Sequence, residues 1–423
     1  MSRTARMAQD ISVDGGRLLS RLDRFAAIGA TPRGGVNRQA LTEGDREARA
    51  LLASLGRERG FALRQDAAAN LFLRREGANA SLPPVLLGSH LDTQPTGGRF
   101  DGALGVLAGL EVLEALENAG ALTPRAVELV AWTNEEGSRF APGAMGSRAF
   151  ADETLPESWL EARAPDGARL GDELAQTLRA LPDVPLAPLG ARVASYLELH
   201  IEQGPILERE GLPIGVVSGI QGTRWLEVTL EGASAHAGTT PLAFRRDPMM
   251  AAAAALAALQ ADVMPQDEDA RLTVGRIEAE PGSINAIPER VRFTLDLRHP
   301  SQERLDEMDA LARTVCEREA ERARCGLHVR LLNDMAPSAF PEAMLALAEA
   351  ACTKAGFANR RIVSGAFHDA LFLARKAPAL MLFTPCRDGI SHNEAEHVEP
   401  RFCVSGATAL LETTLAVLCS LEG

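Results

Sequence analysis

Residues 82–120 read LPPVLLGSHLDTQPTGGRFDGALGVLAGLEVLEALENAG. The opening run LPPVLLGSHLD (82–92) is short, apolar and flanked by prolines and polar residues, which predicts a strand buried on both faces. GALGVLAGLEVLEALENAG (102–120) is long enough for a helix and stops at Gly120. Working outward, AVELVAWTNEE (126–136) and SYLELHIEQG (195–204) repeat the apolar-strand signature. Apolar strands alternating with helices predict an α/β layer around a largely parallel sheet. The polar residues cluster at the strand ends, where such sheets place their sites.

The middle of the chain has another character. GIQGTRWLEVTLEG (219–232) and VRFTLDLRH (291–299) alternate, and Val291, Phe293, Leu295 and Leu297 share one face. A helix over Asp247–Gln260 lies between them. This predicts an antiparallel sheet covered by helices on one side. After about residue 330 the earlier pattern returns, with a helix over 342–356 and the strand ALMLFT (379–384). The expected organisation is a mixed-sheet α/β domain built from residues 1–212 and 331–423, interrupted by a smaller α+β domain over 213–330.

Composition narrows the function classes. The chain has 423 residues, 46% hydrophobic and 24% charged, too apolar for a disordered chain. Its net charge of −13 excludes nucleic acid as the main partner. The cysteines (Cys316, Cys325, Cys352, Cys386, Cys403, Cys419) show no CxxC spacing, so neither a zinc ribbon nor a disulfide scaffold is expected. MSRTARMAQDISVDGG at the N-terminus lacks the apolar core of a signal peptide. The apolar run Met249–Leu259 is too short to span a bilayer. A cytoplasmic protein without membrane association is the expectation.

Only eight histidines are present, and several stand beside carboxylates at strand ends. GSHLDTQPTGGRFDG puts His90 and Asp92 two residues apart, and Asp101 after a Gly97-Gly98 turn. Alone, such a pair is as well explained by structure as by function. TNEEGSRF supplies Glu135 and Glu136. Adjacent glutamates repel unless a cation or a raised pKa intervenes, although a solvated pair satisfies the sequence equally well. Consecutive side chains leave a strand in different directions, so one can bind metal while its neighbour faces a water. His200 and His392 each follow an apolar strand; His299, His328 and His397 read as ordinary histidines. Together His90, Asp101, Glu136, His200 and His392 form a nitrogen and oxygen set for two cations ~3.5–4 Å apart, with Zn²⁺ or Mn²⁺ suited and Co²⁺ or Ni²⁺ sharing such ligands.

The strings GSHLDT, GGRFDGALGVLAGLE, TNEEGSRF, ELHIEQGPILE, HAGTTP, RRDPM and GISHNEAE, in this order, resemble the aminoacylase and carboxypeptidase-type dinuclear metallohydrolases. Within them they are similar to the hydantoinase/carbamoylase amidases: N-carbamoyl-L-amino-acid amidohydrolases, allantoate amidohydrolases and β-ureidopropionases. The resemblance runs from about residue 20 to the C-terminus. A histidine at position 200, where peptidase relatives carry an acid, points to the amidase branch.

Carried over position by position, the resemblance implies that His90 and His200 bind one metal, Glu136 and His392 the other, and Asp101 bridges. It makes Glu135 the base and acid, and has Asp92 orient His90. It also implies that 213–330 is a lid and homodimer interface. There His236 stabilises the oxyanion, and Asn285 and Arg298 hold a substrate carboxylate; Gln203 contacts the substrate. SGAFHDA (364–370) departs from the family pattern, with Phe367 where glycine is usual.

The implied reaction is hydrolysis of the carbamoyl group of an N-carbamoyl-L-amino acid to amino acid, ammonia and carbon dioxide. Allantoate and N-carbamoyl-β-alanine are the alternative small ureido substrates. Two readings from other classes compete: a thiol amidase, which lacks a cysteine in a strand-end motif, and a binding protein on an inactive fold, which the full ligand set and Glu135 oppose.

Overall fold

The computed structural model describes residues 11–421. The expectation about an N-terminal signal segment falls mostly on residues 1–10 and lies outside the described residues. The chain divides into two compact units, one running to Ser218 and resuming at Phe340, the other spanning Gly219–Ala339.

In the first unit the Val85–His90 strand is buried at every residue. It runs parallel to Val127–Trp132 on one side and to Ser195–Ile201 on the other. Ser195–Ile201 in turn runs parallel to Ala379–Thr384. Two-sided burial accounts for the continuous apolar runs of these four strands. The flanks are antiparallel: Leu71–Arg75 on Val127–Trp132, and Ile214–Ile220 on Ala379–Thr384. The sheet is therefore mixed, with the parallel order confined to its centre.

The Ala103–Asn118 helix is buried on all sides from Ala103 to Leu116. The sheet covers one face, and the Gly15–Ala26 and Pro400–Ser420 helices cover others. Two carboxylates in so dry a helix require partners. Glu111 pairs with Arg17 and Glu114 with Arg21, each at 2.6 Å. The helix stops just before Gly120, which takes a left-handed φ of 59°.

In the second unit Gly222–Glu231 lies antiparallel between Arg290–His299 and Gly326–Met335. Val291, Phe293, Leu295 and Leu297 face inward as the alternation predicts. The Pro248–Asp262 and Gln302–Arg322 helices pack onto that face. Asp247 caps the first of them by accepting the N–H groups of Met249 and Met250. The expected boundary at 330/331 falls inside the Gly326–Met335 strand. This edge strand has no buried residue, so its sequence carried little apolar signal. Pro248–Gln266 and Pro400–Ser420 are long and apolar enough to cross a membrane by length and composition alone, yet both contribute residues to a folded core.

Candidate active site

Parallel strands bring their C-terminal ends to one edge of the sheet. His90 closes its strand, His200 stands one residue from the end of its own, and Glu135 and Glu136 follow Val127–Trp132. Asp101 immediately precedes Gly102, the N-cap of the Ala103–Asn118 helix. Gly102 has a φ of 65°, and a Cβ there would lie 2.4 Å from the His90 ring. Glycine is what lets the helix start against the imidazole.

The two oxygens of Asp101 face opposite ways. Oδ1 lies 3.0 Å from His200 Nε2 and 3.6 Å from His90 Nε2. Oδ2 lies 3.4 Å from His392 Nε2, which is also 3.4 Å from Glu136 Oε2. These are two ligand groups sharing one carboxylate, His90–Asp101–His200 and Asp101–Glu136–His392. His90 and His200 donate their Nδ1 protons to the carbonyls of Asp92 and Ile201, at 2.9 and 3.0 Å. Nε2 of each ring is thereby aimed at the carboxylates. His200 Nε2 is buried and lies within reach of Asp101 Oδ1. Three imidazole nitrogens around a two-faced carboxylate fit a pair of divalent cations with N/O ligands.

The charges tell the same story. Burial pushes Glu135 well above the usual carboxylate range, and the neighbouring Asp369, Glu136 and Asp101 add to the shift. Burial and then Asp101 lift Glu136 to about 7. Burial acts on Asp101 too, but the His200, His392 and His90 rings overcome it and hold the carboxyl well below its usual range. The hydrogen bond to Asp101 raises His392 to about 9, with Glu136 contributing. Without cations the site thus keeps protons on imidazoles that cations would replace.

Asp92 departs from its expected part. Its carboxylate stands 3.9 Å from His90 Nδ1, which is held by the Asp92 carbonyl instead. The carboxylate accepts the backbone N–H groups of Glu135 and Glu136, each at 3.2 Å. Asp92 therefore shapes the loop that carries both glutamates. Gln203, with a φ of 55°, directs Nε2 to Asp101 Oδ2 at 3.0 Å and to Ser391 Oγ at 2.9 Å.

Several participants were not singled out from the sequence. Gln94 donates its backbone N–H and its Nε2 to the Glu136 carboxylate, at 3.1 and 2.7 Å. Glu396 accepts the N–H groups of Phe100 and Asp101, at 2.9 and 3.1 Å, and so anchors the bridging residue. Behind His200, buried Glu198 accepts from Ser89, Tyr196 and the Ala370 N–H. The His368 ring lies 4.4 Å from that of His200. Period-two alternation with His200 marks Glu198 in the sequence; nothing comparable marks Gln94.

His236, Asn285 and Arg298 belong to the second unit. His236 and Ala286 are partners in a two-stranded ladder, and Ala237 N–H donates to the Asn285 carbonyl. His236 Nδ1 accepts the N–H groups of Gly238 and Thr239, at 3.1 and 3.2 Å. With Nδ1 accepting, the ring of exposed His236 carries its N–H donor on Nε2. Arg298 stands on the separate five-stranded sheet, with Nε and Nη2 on Asp296 at 2.9 and 2.8 Å. Burial pushes the thiols of Cys352, Cys386 and Cys403 up to about 12, far from a usable thiolate.

The sequence model for peptidase family M20/M25/M40 matches residues 86–416. The chain is 42% identical to an N-carbamoyl-L-amino acid amidohydrolase of Geobacillus stearothermophilus, over 95% of this chain and 98% of that one. It is 34% identical to an allantoate amidohydrolase of Bacillus subtilis, over 92% and 95%. A solved hydantoinase/carbamoylase family amidase from Burkholderia multivorans superposes with a TM-score of 0.91, at 43% identity over 97% of this chain and 99% of that one.

Proposed function

The chain belongs to peptidase family M20/M25/M40, in its hydantoinase/carbamoylase amidase branch, and from this we propose that it hydrolyses the ureido C–N bond of N-carbamoyl-L-amino acids. The observation that carries the reading is the two-faced Asp101, with His90 and His200 on one oxygen and His392, beside Glu136, on the other. In this reading those five residues hold two divalent cations, zinc or manganese, with cobalt or nickel also suited to the ligands. Bound there, the cations supply Lewis acidity toward the ureido oxygen and toward a water.

The chain's own groups do the rest. Glu135 takes a proton from the attacking water as its oxygen bonds to the ureido carbon. Burial and the neighbouring carboxylates raise its pKa, which suits a carboxylate that must both accept and release a proton. Asp92 keeps Glu135 and Glu136 in register through their backbones. The Nε2–H of His236 is a donor for the developing oxyanion. Glu135 then delivers the proton to the leaving nitrogen, the C–N bond breaks, and the released carbamate decomposes to ammonia and carbon dioxide. Asn285 and Arg298 are assigned to the substrate carboxylate, and Gln203 to the ureido end.

A homodimer through the second unit is part of the proposal. The open edge strand Gly326–Met335, with Leu331 and Leu332 exposed, supports it. A reducing cytoplasm accords with six free cysteines.

Ammonia release by the metal-loaded protein tests the reading on N-carbamoyl-L-amino acids, their D-enantiomers, N-carbamoyl-β-alanine and allantoate. Preference for an L-carbamoyl amino acid is expected. Preference for allantoate or the β-compound would keep the mechanism and replace the substrate, and silence on all would refute the proposal.

A further inference from the structure

Residues 364–370 read SGAFHDA and join the Asn359–Ser364 strand to the Asp369–Leu373 helix. Ser364 pins this connection from within. Its Oγ accepts the Ala366 N–H at 3.2 Å and lies 3.0 Å from His368 Nε2. His368 is buried, its ring 4.4 Å from that of His200 and tilted 59° to it. Phe367, between Ala366 and buried His368, is 38% exposed, among the large apolar side chains that remain open to solvent.

Its ring is nevertheless placed. A Cβ on Gly143 would lie 3.1 Å from Phe367 Cζ and 2.8 Å from the Glu135 carbonyl oxygen. That same carbonyl accepts the Ala144 N–H at 2.8 Å. The ring edge therefore lies against the bare backbone of Gly143, on the loop that Glu135 begins. The half-exposed ring thus lies against the loop that carries Glu135, one residue from the His368 ring that packs on His200.

We propose that Phe367 is the specificity-determining wall of the pocket that receives the substituent on the substrate's α-carbon, and that it restricts the enzyme to small apolar side chains. This rests on the reading of the protein as an N-carbamoyl-amino-acid hydrolase. Phe367 contributes no charge and no proton; it fills volume that a bulky substituent requires. The loop under it has no Cβ at Gly143 to take its place, so shortening residue 367 opens the pocket rather than exposing a second wall.

The test compares kcat/KM for N-carbamoyl-L-alanine and N-carbamoyl-L-phenylalanine in metal-loaded wild type, Phe367→Ala, Phe367→Leu and Phe367→Trp. Wild type should prefer the alanine compound. The phenylalanine-to-alanine ratio should rise by ~10-fold or more in Phe367→Ala, less in Phe367→Leu, and fall in Phe367→Trp, the scale set by apolar pockets that differ by a few methylenes. Ratios constant within about two-fold across the active variants would overturn the inference, because a wall must discriminate by size. Should Phe367→Ala lose its fold, Phe367→Leu and Phe367→Trp still decide the sign. Wild type inactive on both compounds but active on allantoate would instead remove the underlying reading, and the inference with it.

Discussion

Asp92 governs Glu135 through the backbone: its Oδ1 accepts the Glu135 N–H at 3.2 Å, while Oδ2 takes that of Glu136. One carboxylate thus sets where two others point, and a change at Asp92 should be felt as lost turnover. Asp92→Ala is expected to lower kcat by about 10–100-fold, the usual cost of removing a residue that orients an active group. Asp92→Asn, which keeps one acceptor oxygen, should recover part of it. A loss confined to metal affinity, with kcat intact at saturating metal, would return Asp92 to the support of His90.

Glu135→Gln keeps the size and removes the basicity. Turnover should fall by ~10²–10⁴, the range for loss of a general base. Elemental analysis should find the metal content of wild type, because Glu135 is outside both ligand groups. Retained activity would take the proton-transfer role from Glu135.

Gly102→Ala places a methyl 2.4 Å from the His90 ring at a φ of 65°. That backbone, φ 65° with ψ −50°, is one L-residues rarely adopt and alone costs about 1–3 kcal/mol, and the ring must also move. The expected result is a folded protein of lowered Tm with a deficit of bound metal. Wild-type metal content in Gly102→Ala would show that His90 is dispensable as a ligand.

Metal uptake should release protons. His392 is raised to about 9 by Asp101 and Glu136, so at pH 7 its ring carries a proton that a cation must displace. Glu136, at about 7, is then partly protonated as well. Both groups bind metal only after losing a proton, so affinity should climb with pH through this interval and flatten above about 9. Calorimetry at pH 7 in two buffers of unlike ionisation enthalpy checks it; identical heats would contradict the prediction.

Arg298→Ala should raise KM by about 10–100-fold with a smaller effect on kcat, as expected for loss of a charge-assisted contact of ~1.5–3 kcal/mol. Arg298 already engages Asp296. Asp296→Asn should therefore lower KM or leave it unchanged. A KM indifferent to Arg298 would remove that residue from carboxylate recognition.

What the sequence disclosed and what it withheld differ in kind. The expected positions His90 and His200 were legible because each sits where an apolar strand stops, and Glu136 because it closely follows one. The inward face of Arg290–His299 was equally plain from its alternation. Gly326–Met335 was not, because an edge strand that buries nothing has no pattern to read. The true partners of Asp92 were hidden for another reason: backbone N–H groups are the same at every residue, so no side-chain motif signals them. Glu396 lies four residues past His392, but its grip on the 100–101 backbone is a long-range relation that only the fold reveals.

The first unit is interrupted in sequence by the second, and this orders events in time. His90, Asp101, Glu136 and His200 leave the ribosome early, whereas His392 and Glu396 follow only after all of Gly219–Ala339 has been made. Until then Asp101 has imidazoles on one oxygen alone, and its backbone anchor does not yet exist. If these residues hold two cations as proposed, the second ligand group is complete only once His392 has been made, and full metal loading would mark that synthesis has passed it.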